Sequence, residues 1–427
     1  MGQGGVMIQG ARCIDPLQGL DQIADLWVHS GGIEINPEQV DGDPERIDGT
    51  GLWAIPGLID LQVHFRQPGF EYKETIESGS AAALAGGITT VVVMPNTRPA
   101  LDTPDRVAYE SEESERVDGV RVLVAAAATN GIEGKALTHH GSLKGAGAVA
   151  ITDDGMPVMD PVLMEGSLQQ CKEHDLLFMQ HAENIDMTGH APMTLSPVSE
   201  EIGVRGQPAD AEGDMVERDI ALVEKIGARY HVLHTTTGRS IHAVRDAKKR
   251  GLPVSCEVSP HHLLLTYDAC STADPNTKMN PPLRSESDRQ ALIHALVDGT
   301  ADAVATDHAP HSASEKAQGF VDAPFGVIGL ETAFSAVMEF VHDGTISANR
   351  AVELMTAGPA RVLKMTDTLG SFSSTAADVA LINPNQEWVV EADAFKGRSK
   401  NSAFIGRTFK GRVVATVMRG ALRYSIL

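Results

Sequence analysis

Apolar and polar positions alternate in blocks along most of the chain. Short apolar runs rich in Val, Ile and Leu, typical of buried parallel strands, precede longer stretches with apolar residues at helical spacing. Two of these helical stretches span 162–171 and 290–297. The predicted strands are 54–64, 89–94, 120–124, 148–151, 176–179, 230–233, 253–258 and 303–305. Eight strand–helix units predict an α/β fold, a (β/α)8 TIM-like barrel.

The two ends of the chain show a different pattern. Short strand-like runs separated by turn residues occur at 6–12 and 25–28, and again at 378–382 and 413–418. We therefore expect 1–53 and 364–427 to form one small β-sandwich domain beside a barrel spanning 54–363. An open doubly wound sheet is the alternative, but no GxGxxG sequence follows the first predicted strand.

Composition narrows the classes of function. The chain has 427 residues, and its 35 Lys and Arg against 57 Asp and Glu give a net charge of −22. This charge argues against a general nucleic-acid binder, although a local arginine could still hold an anionic substrate. The four scattered cysteines suit free thiols in a reducing compartment. Neither a signal peptide nor a long uncharged apolar segment is evident, so we expect a soluble cytoplasmic protein without a membrane partner.

Polar side chains follow several predicted strands at the point where each strand ends. The ligand types among them are His64, Asp154, His181, His234 and Asp307. A single histidine at a strand end is more often packed or solvated than a ligand, but a barrel brings these five ends together. Imidazole and carboxylate are suitable zinc ligands. Gln62 and Arg66 fall on the same side of the first strand as His64.

Eight segments in this order carry a resemblance to a known family. They are Asp60–Gly69, Val93–Thr97, Asp153–Gly155, His181–Asn184, His231–His234, Ser259–Thr266, Met279–Arg284 and Ala305–His311. Over nearly its whole length the chain resembles the class I dihydroorotases of the amidohydrolase superfamily. The resemblance implies zinc-dependent, reversible hydrolysis of (S)-dihydroorotate to N-carbamoyl-L-aspartate in de novo pyrimidine (UMP) biosynthesis.

The resemblance also implies a role for each matching residue. The zinc ligands would be His64 and Asp307 for the first metal, His181 and His234 for the second, and Asp154 between both. Asp307 would also act as general base and acid. The substrate carboxylate would be held by Arg66, Asn96 and His311, and the pyrimidine ring would contact Asn280. Between Asp153 and Asp154, the family's spacing to His181 favours Asp154.

One position departs from the family's usual pattern. Gln62-Val63-His64 stands where the family usually has His-x-His. An amide is a weaker zinc ligand than imidazole, so we expect one firmly bound zinc and a weaker second site. No lysine follows the fourth strand, which argues against the carbamylated lysine of hydantoinase-like relatives and against another cyclic amidase such as allantoinase.

A noncatalytic role is the alternative, because some dihydroorotase-like chains are subunits that scaffold aspartate transcarbamoylase. Those chains tend to lose several ligands, whereas this one departs at a single position, which favours the enzyme. We expect a homo-oligomer, with aspartate transcarbamoylase as a candidate partner. We also expect His139 and His140 to be solvated, and the segment 308–326 to act as a mobile lid.

Overall fold

The computed structural model describes residues 4–427. Its first strands are β1 Val6–Asp15, β2 Leu20–His29, β3 Gly32–Ile35, β4 Glu45–Asp48 and β5 Trp53–Pro56. β1 pairs antiparallel with β2 and parallel with both β4 and β5.

A barrel of eight parallel strands follows. Its strands are β6 Leu58–Val63, β7 Ile88–Val93, β8 Arg121–Ala127, β9 Ala148–Thr152, β10 Leu177–Gln180, β13 Arg229–Val232, β14 Val254–Val258 and β15 Ala303–Val304. β11 Met193–Thr194 and β12 Gly206–Gln207 form a separate two-stranded sheet. The barrel closes where His64 donates its backbone N–H to the carbonyl of His308 at 2.8 Å. The predicted α/β barrel is confirmed, and each predicted strand overlaps an observed one.

Helices connect the barrel strands. They are α1 Ile76–Ala85, α2 Pro104–Arg116, α3 His140–Gly145, α4 Pro161–Glu173, α5 Ile185–Thr188, α6 Pro197–Glu201, α7 Asp210–Ile226, α8 Gly238–Lys249, α9 Pro260–Leu264, α10 Glu286–Asp298, α11 Ala313–Lys316, α12 Ala333–His342, α13 Ala348–Met355 and α14 Ala357–Leu363. Many begin at a capping side chain: the Thr75 hydroxyl, for example, accepts the backbone N–H of Ser78. The two predicted helices lie within α4 and α10. Among the described helices, none is both long and apolar enough to cross a membrane.

The chain ends with β16 Val379–Val389, β17 Thr408–Met418 and β18 Ala421–Ser425. β16 pairs antiparallel with β5, so both ends of the chain join one sheet, in the order β18-β17-β16-β5-β1-β2-β3 with β4 beside β1. The predicted β-rich unit built from both ends is therefore present. Its division from the barrel after residues 53 and 363 stays a prediction.

The prediction that both members of the His139-His140 pair are solvated is wrong for His140. His139 is exposed, but His140 is buried at the start of α3. Its Nδ1 lies 3.1 Å from the Thr138 hydroxyl and its Nε2 lies 2.7 Å from the Ser167 hydroxyl on α4. Two hydrogen bonds allow the ring to be buried, and burial lowers its pKa to about 4.

Candidate active site

Three ligand-type side chains meet at the carboxyl ends of neighbouring barrel strands. Asp154 follows β9, His181 follows β10 and His234 follows β13. His181 Nδ1 lies 2.9 Å from His234 Nε2, and Asp154 Oδ1 lies 3.2 Å and 3.4 Å from these two nitrogens. The donors of a tetrahedral zinc site, with bonds of about 2.0–2.1 Å, stand about 3.3 Å apart. The triangle therefore fits one zinc ion.

His64 and Asp307 lie on the other side of Asp154. His64 Nε2 is 3.3 Å from Asp154 Oδ2 and 3.1 Å from Asp307 Oδ1. Thus all five predicted ligand positions come together, and the two oxygens of Asp154 face different histidines. Within residues 4–427, however, only Asp154, His181 and His234 form a group whose donor atoms all lie within 4.8 Å of one another.

Gln62 is buried directly beside this cluster. Its Nε2 donates to Asp154 Oδ2 at 3.2 Å, and its Oε1 has no hydrogen-bond partner. The side chain thus turns its N–H donor, rather than its oxygen, toward the carboxylate. This orientation does not suit a metal ligand, because the amide nitrogen carries no free lone pair.

The structure separates the roles of the two adjacent aspartates. Asp153 accepts hydrogen bonds from the backbone N–H of Thr129 at 2.9 Å and from its hydroxyl at 2.5 Å. It therefore holds the loop after β8, and burial raises its pKa to about 6. Of the two, only Asp154, the residue chosen from the family's spacing, faces the histidines.

Glu183 touches the cluster and was not predicted as a site residue. Its Oε2 lies 3.1 Å from His181 Nε2 and accepts a hydrogen bond from Asn280 Nδ2 at 2.8 Å. Burial lowers the pKa of His181, but its hydrogen bonds to Asp154 and Glu183 outweigh this effect and raise the pKa to about 10. The carboxylates therefore favour positive charge at this point, as a metal site requires.

Two of the ligand-type residues have unusual backbone conformations. His234 has a φ of 28° and Asp307 a φ of 48°, in the left-handed region that bulky residues seldom adopt. Below them, Asp60 accepts hydrogen bonds from the backbone of Gln62 at 3.2 Å and of Thr306 at 3.1 Å. It thereby ties the end of β6 to the turn that presents Asp307. Strain of this kind persists where surrounding contacts hold it, as at functional sites.

A cavity of about 320 Å³ opens above the cluster. The four predicted substrate-binding residues, Arg66, Asn96, Asn280 and His311, all line it. The Arg66 Nε donates to the carbonyl of Pro310 at 3.2 Å, which fixes the guanidinium in place. Burial lowers the pKa of Arg66 to about 10, so the side chain remains charged at neutral pH. The cavity therefore combines a cluster of potential metal ligands with the fixed positive charge of Arg66.

Other lining residues were not predicted from the sequence. They are Gly155, Ala309, Pro324, Phe325 and Gly326. Phe325 belongs to the segment predicted to act as a lid, and its carbonyl lies 2.7 Å from His311 Nε2. The segment contains α11, and its mobility stays a prediction. Glu183, Gly155 and Ala309 had a sequence signal, since they lie within the family motifs 181–184, 153–155 and 305–311. Pro324, Phe325 and Gly326 lie only within the predicted lid segment.

The chain is similar to known proteins over nearly its whole length. A family model described as "Dihydro-orotase-like" matches residues 51–240. Proteins named "Dihydroorotase" from Solibacter usitatus and Desulfotalea psychrophila are 42% and 43% identical, over 98% of this chain and 98% and 99% of theirs. Among solved structures, the L-hydantoinase of Arthrobacter aurescens is 25% identical with a TM-score of 0.86, covering 99% of this chain and 96% of that one.

The fold is that of the amidohydrolase superfamily, and the protein is a cyclic amide hydrolase. Its full-length similarity to relatives above 40% identity shows that the chain belongs to the dihydroorotase family.

Proposed function

We propose that the protein is a zinc-dependent enzyme that interconverts (S)-dihydroorotate and N-carbamoyl-L-aspartate in de novo pyrimidine biosynthesis in the cytoplasm. The observation that carries the proposal is the position of Arg66 in the same cavity as Asp154 and His181. Dihydroorotate combines a ring amide with a carboxylate, and the cavity offers complementary groups for both. The relatives named "Dihydroorotase" support the same assignment.

Arg66, Asn96 and His311 would bind the substrate carboxylate. The planar guanidinium suits a carboxylate because two parallel N–H groups can bind its two oxygens. The Arg66 NH2 group lies 3.4 Å from His311 Nε2, so both side chains face the same point of the cavity. Asn280 lies on the opposite side, against His181 and Glu183, where its amide would contact the pyrimidine ring.

The metal would be held most firmly by Asp154, His181 and His234. His64 and Asp307, with Asp154, would form a weaker first site that lacks the imidazole replaced by Gln62. When bound, zinc would polarise the ring carbonyl and lower the pKa of a water molecule. Asp307 would act as general base and acid. It would accept the proton of the attacking water and pass it to the ring nitrogen as the C–N bond breaks, with the reverse transfer in ring closure.

Parallel assays of three cyclic amides test this proposal. Dihydrouracil has the dihydroorotate ring without the carboxylate, and hydantoin has a smaller ring that also lacks it. We expect kcat/KM for (S)-dihydroorotate to exceed the values for dihydrouracil and hydantoin by about 10²-fold or more. These two compounds have no carboxylate, so the buried Arg66 guanidinium stays unpaired when they bind. Comparable turnover of hydantoin would contradict the proposal. A folded, zinc-loaded protein inactive on all three would instead favour a scaffold for aspartate transcarbamoylase. That partner and a homo-oligomeric state stay predictions.

A further inference from the structure

A second cavity of about 460 Å³ lies next to the active-site cavity. His311 lines both. Its Nε2 faces Arg66 in the active site, while its Nδ1 lies 3.3 Å from the Lys73 ammonium group. The wall of the second cavity consists mainly of residues 312–317 after β15 and residues 398–401. An occupant of this cavity would therefore be one side chain away from the proposed substrate carboxylate.

Lys316 is a buried cation in the wall of the second cavity. Its ammonium group donates to the carbonyls of Pro275 at 2.9 Å and Pro324 at 3.0 Å, and no carboxylate in the described chain lies within salt-bridge distance. Burial and the nearby Lys278 lower the pKa of Lys316 to about 7. When it is protonated, this ammonium group is held by backbone carbonyls and forms no ion pair with a described carboxylate.

Lys278 repeats this arrangement from the facing segment. It is buried, and its ammonium group donates to the carbonyls of Val321 at 2.7 Å and Ala323 at 2.6 Å. Like Lys316, it forms no salt bridge between residues 4 and 427. The two lysines tie the segment carrying Asn280 to the one carrying Phe325, and the Lys278 ammonium group also lies 4.5 Å from the centre of the Phe325 ring.

The remaining polar groups of the cavity point to the same kind of ligand. Arg398 donates to the carbonyl of Glu71, and Lys400 donates to the carbonyls of Phe395 and Gly397 at 2.6 Å and 2.7 Å. Neither forms a salt bridge with a described residue. Asn276 also lines the cavity, and its amide nitrogen supplies further hydrogen-bond donors of the kind that bind an anion.

The acidic side chains near these lysines do not line the cavity: Asp274 and Glu315 lie near Lys316, and Asp322 lies near Lys278. Glu315 is paired with Lys73 at 2.9 Å. The basic side chains Lys316, Arg398 and Lys400 thus line this cavity, and no described Asp or Glu does, in a protein whose net charge is −22. A concave site with an apolar lining and a few convergent polar groups is typical of small-molecule binding.

We propose that the second cavity binds a small anion through its carboxylate or phosphate group, held by Lys316, Arg398 and the Asn276 amide. The anion complements a cavity that is lined by basic side chains and by no described Asp or Glu. Because His311 separates the two cavities, the site communicates with the substrate-binding cavity. The proposal rests on the second cavity alone and stands independently of the proposed function.

Isothermal titration calorimetry on the full-length, zinc-loaded protein tests the proposal, with inorganic phosphate and succinate as separate probes. We expect saturable binding of at least one probe; the probe that binds distinguishes a phosphate from a carboxylate ligand. Arg66→Met, which alters only the active-site cavity, should retain this binding. Lys316→Met should weaken it at least tenfold. Arg423→Gln serves as control. Arg423 pairs with Asp118 and lines neither cavity, so this variant should leave binding unchanged.

A second variant keeps the test decisive if Lys316→Met does not fold. Arg398→Gln combined with Asn276→Ala changes side chains that line the cavity without removing a buried charge, and it should also weaken binding at least tenfold. Absence of saturable binding of both probes up to about 10 mM would overturn the proposal. Loss of binding in Arg66→Met would also overturn it, because the anion would then occupy the active site. Undiminished binding in Lys316→Met, or in the Arg398→Gln and Asn276→Ala double variant, would likewise overturn the proposal.

Discussion

Gln62 and Asp154 are joined by a hydrogen bond of 3.2 Å in which the amide nitrogen donates to the carboxylate. The contact uses Oδ2, the oxygen that faces His64, and leaves Oδ1 directed at His181 and His234. The amide therefore orients the carboxylate toward the pair of histidines without offering the metal a donor atom. This relationship accounts for the expected difference in affinity between the two metal sites.

Replacing this amide by imidazole should strengthen the first site. We expect wild-type protein to retain one zinc per chain after dialysis, and Gln62→His to approach two, because imidazole is the better zinc ligand. Elemental analysis of the dialysed proteins measures the difference. Gln62→Leu, of similar size but without a donor, should show no gain. Metal content in Gln62→His at or below the wild-type level would show that the cavity is built for the amide.

Glu183 should control how tightly zinc is held. It contacts the His181 nitrogen that faces away from Asp154, so it would fix the ring and its tautomer. We expect Glu183→Gln to lower zinc affinity by roughly 10–100-fold, as is usual for such partners. Competition with a chromogenic chelator gives the affinity, and circular dichroism checks the fold. Glu200→Gln, at an exposed position on α6, is the control. Equal zinc affinities for wild type and Glu183→Gln would show that Glu183 does not control zinc binding.

Arg66 should affect substrate binding more than the chemical step. The contact with the substrate carboxylate exists in both the ground state and the transition state, so its loss leaves kcat nearly unchanged. We expect Arg66→Met to raise KM by roughly 30-fold or more, equivalent to about 2 kcal/mol. Steady-state kinetics measure both constants, with Arg423→Met as a distant control. An unchanged KM would show that another group binds the carboxylate.

Asp307 should affect the chemical step. Asp307→Asn keeps the shape of the side chain but removes the basic oxygen, so kcat should fall by roughly 10²-fold or more. Because Asp307 also lies 3.1 Å from His64, the zinc content of the variant must be measured alongside its kinetics. Asp322→Asn, an exposed aspartate in the segment after β15, should behave as wild type. Near-normal kcat in Asp307→Asn would show that a group other than Asp307 transfers the proton.

Glu110 should make the stability of the fold depend on pH. It is fully buried on α2, neither carboxyl oxygen has a hydrogen-bond partner, and burial raises its pKa well above 4.5. As pH rises above about 4.5, the unfolded chain loses this proton while the folded chain retains it, so the folded state loses relative stability. Glu110→Met should therefore stabilise the protein, by about 1–3 kcal/mol near neutral pH and by less in acid.

Denaturant unfolding at several pH values measures this difference. Glu112→Met, at an exposed position of the same helix, provides the matched control and should change stability little at any pH. A Glu110→Met protein that is less stable than wild type, or a difference that does not vary with pH, would contradict the assignment of a neutral buried carboxyl group.

The barrel could be predicted because its signal is local. Buried parallel strands appear as continuous apolar runs, and even the two-residue β15 was found because it leads into Asp307. The shared sheet of the two chain ends was predicted only as a β-rich unit. Its strand order, with β5 between β1 and β16, depends on contacts over more than 300 residues that periodicity does not encode.

The candidate site, like the fold, could be predicted only in part from the sequence. The ligand positions at strand ends could be predicted because a barrel necessarily brings those ends together. Phe325 could not, since its position depends on Lys278 and Lys316, which hold its segment through backbone carbonyls. The orientation of Gln62 was also beyond the sequence, because either end of an amide can face a carboxylate until the surrounding hydrogen bonds are known.

Dihydroorotate turnover should depend on a zinc ion held by Asp154, His181 and His234. The most direct test of this dependence is removal and restoration of the metal in the purified protein, with formation of N-carbamoyl-L-aspartate followed by chromatography. We expect a chelator to abolish turnover and activity to return in proportion to added zinc, reaching most of its maximum near one equivalent per chain. Full turnover by the metal-free protein, or none by a folded protein loaded with zinc, would contradict this dependence.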